Sequence, residues 1–116
     1  MTATQRPGED PAARAAAAMH QIATHALKSN LARIDRLEGA VLAAGSGTLG
    51  DEERSEAAHV AHQLVGSAGT FGYSRVSRLA RELEAFFQQE ADPASVAAST
   101  TKIAVMQEDL QGDPDY

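Results

Sequence analysis

The sequence predicts an all-α protein: an antiparallel up-down four-helix bundle with an additional N-terminal helix. Three observations carry this expectation. Apolar residues make up 43% of the 116 residues but aromatic residues only 4%, and alanine supplies much of the apolar share. Alanine with few β-branched or aromatic side chains favours helix over strand. Apolar positions recur at helical spacing along the chain, with no strand-like alternation between them. The segments between these stretches are short, which makes successive helices run antiparallel. The length suits one domain with one core.

Residues 1–10, "MTATQRPGED", are polar and are expected to form a flexible N-terminus. Asp10-Pro11 then offers an N-cap followed by proline at the first helical position. A helix of about fifteen residues is expected to follow, with Met19, Ile22 and Ala23 on one side. Ser29 or Asn30 marks either a break or an exposed face. From Leu27 the apolar positions are Leu27, Leu31, Ile34, Leu37, Val41 and Leu42, with charged residues between them. The stretch Gly45–Gly50, "GSGTLG", ends that helix in a loop.

The next helix is expected to start near Asp51, where Asp51, Glu52 and Glu53 suit the positive end of a helix dipole. It runs towards Ala68, and Gly72 turns the chain. Ser74 is the expected cap of the following helix, whose apolar face is Val76, Leu79, Ala80, Leu83 and Phe86 or Phe87. Asp92-Pro93 repeats the cap-plus-proline signal. The last helix carries Val96, Ile103, Met106 and Leu110 and ends at Gly112. Residues 11–112 are thus read as the bundle and residues 113–116 as a C-terminal tail.

Charge and composition exclude several functions. A formal net charge of −6 argues against nucleic acid and against an anionic membrane surface as partners. The longest apolar run near the start, Ala15–Ala18, is far too short to span a bilayer, and no signal-peptide pattern precedes it. The expected location is the cytoplasm. The absence of cysteine removes disulfides, thiolate metal sites and cysteine nucleophiles.

The stretch "AHQLVGSAGTFG", residues 61–72, carries the chemistry. Gly66 and Gly69 stand within one turn of each other in an otherwise helical segment, each at a cost of roughly 1 kcal/mol against alanine. On a helical wheel Ala57, Val60, Ala61, Leu64, Ala68 and Phe71 share the core face. Ser55, His59, His62, Gly66 and Gly69 share the other. The two glycines therefore leave a bare floor beside an outward-pointing His62, where another protein's backbone could approach. The plainer alternative is that the glycines pack closely against a neighbouring helix and that His62 is an ordinary surface residue.

The longer run "AHQLVGSAGTFGYSRVSRLARELE", Ala61 to Glu84, resembles the core of histidine-containing phosphotransfer (HPt) domains. The matching positions are His62, Leu64, Gly66-Ser67-Ala68, Gly72, and Leu79, Ala80, Leu83 and Glu84. The resemblance implies a phosphocarrier in a multistep two-component phosphorelay, with His62 as phospho-acceptor. It would take the group from a receiver-domain aspartate and pass it to another. Neutral imidazole is a competent nucleophile near pH 7. The implied partners are response-regulator receiver domains and hybrid histidine kinases. The implied Mg²⁺ belongs to the receiver, so no cofactor of this chain's own is expected, and a monomer is the expected state. His59, Val65, Gly66, Ser67 and Gly69 are the expected receiver-docking or supporting residues. One departure stands out: many HPt domains have lysine three residues after the histidine, where this chain has Val65. A cation near the phosphoryl oxygens would be missing. Arg75, Arg78, Lys28 or a protonated His59 are the candidates to compensate. The alternative function is a non-catalytic receiver-binding adaptor or sequestering module on the same face.

Other signals are weaker. Gly45–Gly50 matches G-x-G-x-x-G but follows a helix rather than a strand, and no lysine of a P-loop or set of kinase motifs is present. ATP-dependent kinase activity is therefore not expected. His59 and His62 share a face at i, i+3, but His20 and His25 diverge, so no metal site is expected. Arg54, Arg75, Arg78 and Arg81 are read either as solvated residues in helix pairs such as Arg78–Glu82, or as contacts to the acidic rim of a receiver.

Overall fold

The computed structural model describes residues 10–115. Four helices follow one another: α1 (Pro11–Gly45), α2 (Asp51–Thr70), α3 (Ser74–Phe87) and α4 (Pro93–Leu110). Each packs on its neighbours in sequence, and α4 closes the ring against α1. Among the described residues there is no strand, so the all-α up-down bundle is the fold. The flexible terminus expected for residues 1–10 lies outside the described residues except for Asp10.

The expected N-terminal helix is not a separate element. It is the first part of α1, which runs 35 residues without a break. Neither Ser29 nor Asn30 interrupts it. Asn30 is 2% exposed, and its Oδ1 accepts a hydrogen bond from Arg33 Nη1 at 2.8 Å. Asparagine disfavours helix interiors because its side chain competes for the backbone; here that side chain is engaged elsewhere. At 1.5 Å per residue α1 is about 52 Å long, against about 30 Å for α2. It outruns its partners. From Pro11 to His25 every residue except half-buried Ala23 is exposed. The Met19, Ile22 and Ala23 stripe therefore stays largely uncovered: Ala23 is half-buried, and Met19 and Ile22 are 61% and 51% exposed. Leu42 is also exposed, because it sits one residue, about 100° of helix, beyond buried Val41.

The core is aliphatic and continuous. Ile34, Leu37 and Val41 from α1 meet Val60, Leu64 and Ala68 from α2, Val76, Leu83 and Phe87 from α3, and Ile103, Met106 and Leu110 from α4. Phe87 is the buried member of the phenylalanine pair. Phe86 is half-buried and meets it edge-on, with ring centroids 5.0 Å apart.

The helix ends follow the sequence signals, with two exceptions: Asp10 precedes Pro11 at the start of α1 but its side chain makes no cap hydrogen bond, and Ser74 is not a cap. Gly47 and Gly72 adopt φ of 72° and 86°, the left-handed region open to glycine, and make the two tight turns possible. Asp92 caps α4 by accepting from Ser95 N at 2.9 Å, ahead of Pro93. Ser74 does not cap α3. It is the first helical residue, and the cap comes from the chain's other end. The Asp115 carboxylate accepts from the Ser74 backbone N–H at 3.2 Å and from the Ser74 hydroxyl, while Asp115 N donates to Gly72 O at 2.7 Å. Residues 113–115 thus fold back onto the α2–α3 turn. Next to them, Arg75 grips Asp109 through two guanidinium nitrogens.

Two predictions follow from this packing. Leu64, fully buried, should cost about 2–5 kcal/mol when cut to alanine. His62→Ala should leave the thermal midpoint nearly unchanged, and melts of the two variants at equal concentration test the ranking. The hydrogen bonds from Arg75 hold the Asp109 carboxyl below its usual range. A carboxyl lowered on folding stabilises the protein above its unfolded pKa, and that contribution is lost as pH falls towards the folded value. Asp109→Asn should therefore lower the urea midpoint at pH 7 and flatten its decline below about pH 4.

Candidate functional site

The site is built on the α2–α3 pair. Along α2 the buried residues are Ala57, Val60, Ala61, Leu64 and Ala68. Their spacing turns His59, His62, Gly66 and Gly69 outward, and all four are exposed. The His62 side chain is 70% exposed. The core face that the wheel predicts is the observed one, except that Phe71 is only half-buried.

His62 is exposed but not isolated. Its Nδ1 lies 3.1 Å from Oε2 and 3.3 Å from Oε1 of Glu84 on α3. The Glu84 side chain is only 23% exposed, so the carboxylate stands in the groove between the helices with the imidazole above it. A carboxylate accepts hydrogen bonds and cannot donate them, so the proton of a neutral ring belongs on Nδ1. Nε2 then carries the lone pair, and it meets no hydrogen-bond partner among the described residues. The arrangement is a nucleophilic nitrogen in solvent with its orientation fixed from behind.

The residues expected around His62 divide into open and packed ones. A Cβ built on Gly66 would meet nothing within 4 Å, so the surface one turn beyond the histidine is bare. Gly69 is different. A Cβ there would stand 3.3 Å from Ser77 Oγ, so the clearance expected at Gly69 is a close approach of α3. Ser77 uses that approach to donate to the Val65 carbonyl at 2.7 Å. Val65 is half-buried against the core, and Ser67 is half-buried on the flank. His59 stands exposed one turn before His62. Glu84 and Ser77 were not assigned roles by sequence reasoning. Glu84 belongs to the recognised run, but periodicity alone cannot show which neighbouring helix a flank residue meets.

The remaining histidines do not join the site. His20 and His25 lie on the exposed part of α1, where they line a separate groove with Thr24 and Lys28. Among the described residues no group of three or more His, Asp or Glu side chains gathers in a metal-binding arrangement. The arginines are dispersed: Arg75 pairs with Asp109, Arg54 with Asp51, and Glu82 pairs with Lys102 rather than with Arg78. Two surface grooves lie elsewhere, one between α1 and α2 around Gly39 and one beside Tyr73 and Asp113. His62 lines neither of them.

A family model described as Hpt domain matches residues 21–112. The chain belongs to the Hpt domain family. Hpt domains are helical bundles that carry phosphoryl groups on histidine in two-component phosphorelays, are phosphocarriers rather than kinases, and interact with receiver domains and histidine kinases. No curated protein and no solved structure gives a significant match to this Hpt chain. No described helix of it is long and apolar enough to cross a membrane.

The tautomer is directly measurable. Long-range ¹⁵N–¹H spectra at neutral pH should show His62 with its proton on Nδ1. In Glu84→Ala the signals should move towards the Nε2–H form, which free imidazole favours. An unchanged pattern in the variant would mean that Glu84 does not orient the ring.

Proposed function

We propose that His62 is the phospho-acceptor of this Hpt domain, and that it takes a phosphoryl group from the aspartyl phosphate of one receiver domain and delivers it to the aspartate of another. The observation that carries the reading is the His62–Glu84 contact, which leaves Nε2 as the free nucleophile beside the bare backbone of Gly66.

The step balances simply. The Nε2 lone pair forms the N–P bond as the acyl-phosphate P–O bond breaks, and the donor aspartate leaves as carboxylate. The Nδ1 proton stays where it is. The phosphorylated ring therefore carries positive charge, and the Glu84 carboxylate beside Nδ1 offsets it. In the return step a receiver carboxylate attacks phosphorus and the ring departs as neutral imidazole, still bearing the Nδ1 proton. The chain contributes orientation and electrostatics. Catalytic Mg²⁺ belongs to the receiver under this reading, and no cofactor is assigned to the Hpt chain. A flat approach suits a second protein, since a receiver must bring its own active site down onto the nitrogen. His59, Val65, Gly66, Ser67 and Gly69 surround that approach. Of these, Gly66 provides clearance, and Gly69 supports the site by admitting Ser77.

A second reading is favoured by Val65, which places no cation at the position where many HPt domains have lysine. In that reading the chain binds receivers on the same face without relaying phosphate. Incubation with a phosphorylated receiver separates the two. Transfer predicts acid-labile label on the wild-type chain and none on His62→Gln. Receiver binding that persists in His62→Ala, with no label on the wild type, would instead make it an adaptor.

A further inference from the structure

We propose that Arg81 supplies the phosphoryl-binding cation that position 65 lacks, reaching it from the facing helix; this rests on the reading of His62 as phospho-acceptor. The helices α2 and α3 run antiparallel, and two contacts fix their register. Glu84 meets His62, and Ser77 approaches Gly69. Moving three residues back from Glu84 on α3 matches moving three residues forward from His62 on α2. Arg81 is therefore level with position 65, about 4.5 Å along the axis from His62. It is four residues after Ser77 and three before Glu84, on the same side of α3 as both. Arg81 is exposed and has no ion-pair partner among the described residues.

Val65 is the side chain between them and is half-buried, so the long Arg81 side chain can pass over it towards Nε2; Gly66, about 100° further round α2 and beyond His62, leaves the far side of the imidazole bare. Val65 itself is turned partly into the core, and its carbonyl is taken by Ser77. The other candidates are placed less well. Arg75 is held by Asp109, and Lys102 by Glu82. Lys28 faces a groove shared with His20, Thr24 and His25 on α1 itself, and α1 packs on the Glu56 flank of α2, about 120° round that helix from His62. Arg78 follows Ser77 by one residue, about 100° further round the helix and away from the groove. A guanidinium can present two parallel N–H groups to phosphoryl oxygens, which suits an exposed cation that must find a dianion.

The test loads the whole chain with phosphoramidate, so that no receiver is needed. The Nε2 lone pair forms the N–P bond, the donor's P–N bond breaks, and ammonia leaves with a proton from water. The ³¹P resonance absent from His62→Gln reports the site, and its chemical shift is titrated with pH at low salt. The other titratable neighbours, Glu84 and His59, are the same in every arm. A nearby cation favours the dianion, so Arg81→Gln should raise the ionisation midpoint by about half a pH unit. Arg81→Lys should recover part of that shift, and Arg78→Gln should produce clearly less. Equal midpoints in wild type and Arg81→Gln, or equal shifts in Arg78→Gln and Arg81→Gln, overturn the assignment to Arg81. Absence of any His62-dependent resonance overturns the acceptor reading, and this proposal with it.

Discussion

Everything at the site depends on how closely α3 comes to α2. The approach is set where Ser77 meets the bare backbone at Gly69 and donates to the carbonyl of Val65. A Cβ at Gly69 would crowd the Ser77 hydroxyl that donates to Val65. Two turns along α3, the same line of contact brings Glu84 under the His62 ring. The glycine and the serine thus act as a spacer and a latch, and the orientation of the imidazole follows from them. Nothing about His62 itself requires burial. Its position is inherited from a core on the opposite face of its helix.

The rest of the molecule holds that pair still. α1 and α4 cover the inner faces of α2 and α3, and the C-terminal segment closes the end of the bundle nearest the α2–α3 turn. There the Asp115 carboxylate satisfies the first turn of α3, and Arg75 ties that turn to α4 through Asp109. The start of α3 is fixed from two directions, although neither contact touches the site. This is how a short helix of 14 residues can carry a carboxylate at a set distance from a neighbour's histidine. The exposed part of α1 adds no buried residue to this arrangement between Pro11 and His25.

Much of this was legible in the residues. The stripes Ile34-Leu37-Val41 and Val60-Leu64-Ala68 are core because three- and four-residue spacing leaves them no other face. The same geometry turned His62 outward. The Gly72 turn and the Asp92-Pro93 cap are local chemistry, and local chemistry reads well from sequence. What failed was tertiary. Met19 and Ile22 continue the periodic pattern of α1, but periodicity does not say where the partner helices stop. Ser74 is a good cap residue, yet the Asp115 carboxylate, 41 residues away, took the task. Gly66 and Gly69 look equivalent on a wheel, and only the position of Ser77 shows that one is open and the other packed. Glu84 lay within the recognisable run, but its partner is set by helix register, which no single-helix projection contains.

Val65 shows why one side chain cannot serve two ends. A residue three after the histidine sits about 60° from it around α2, on the flank that α3 approaches. In this chain that flank is drawn in tightly, because Gly69 admits Ser77 and Ser77 takes the Val65 carbonyl. A lysine there would have to carry its ammonium out past α3, whereas valine fills the half-buried space with apolar contact. The helix that crowds position 65 also carries Arg81 on its outer edge, level with it. Tight packing that leaves position 65 apolar sets Arg81 level with it across the groove. Under the proposed reading, the charge that meets a phosphoryl group on His62 follows from the register of the pair and not from the spacing within the histidine's own helix.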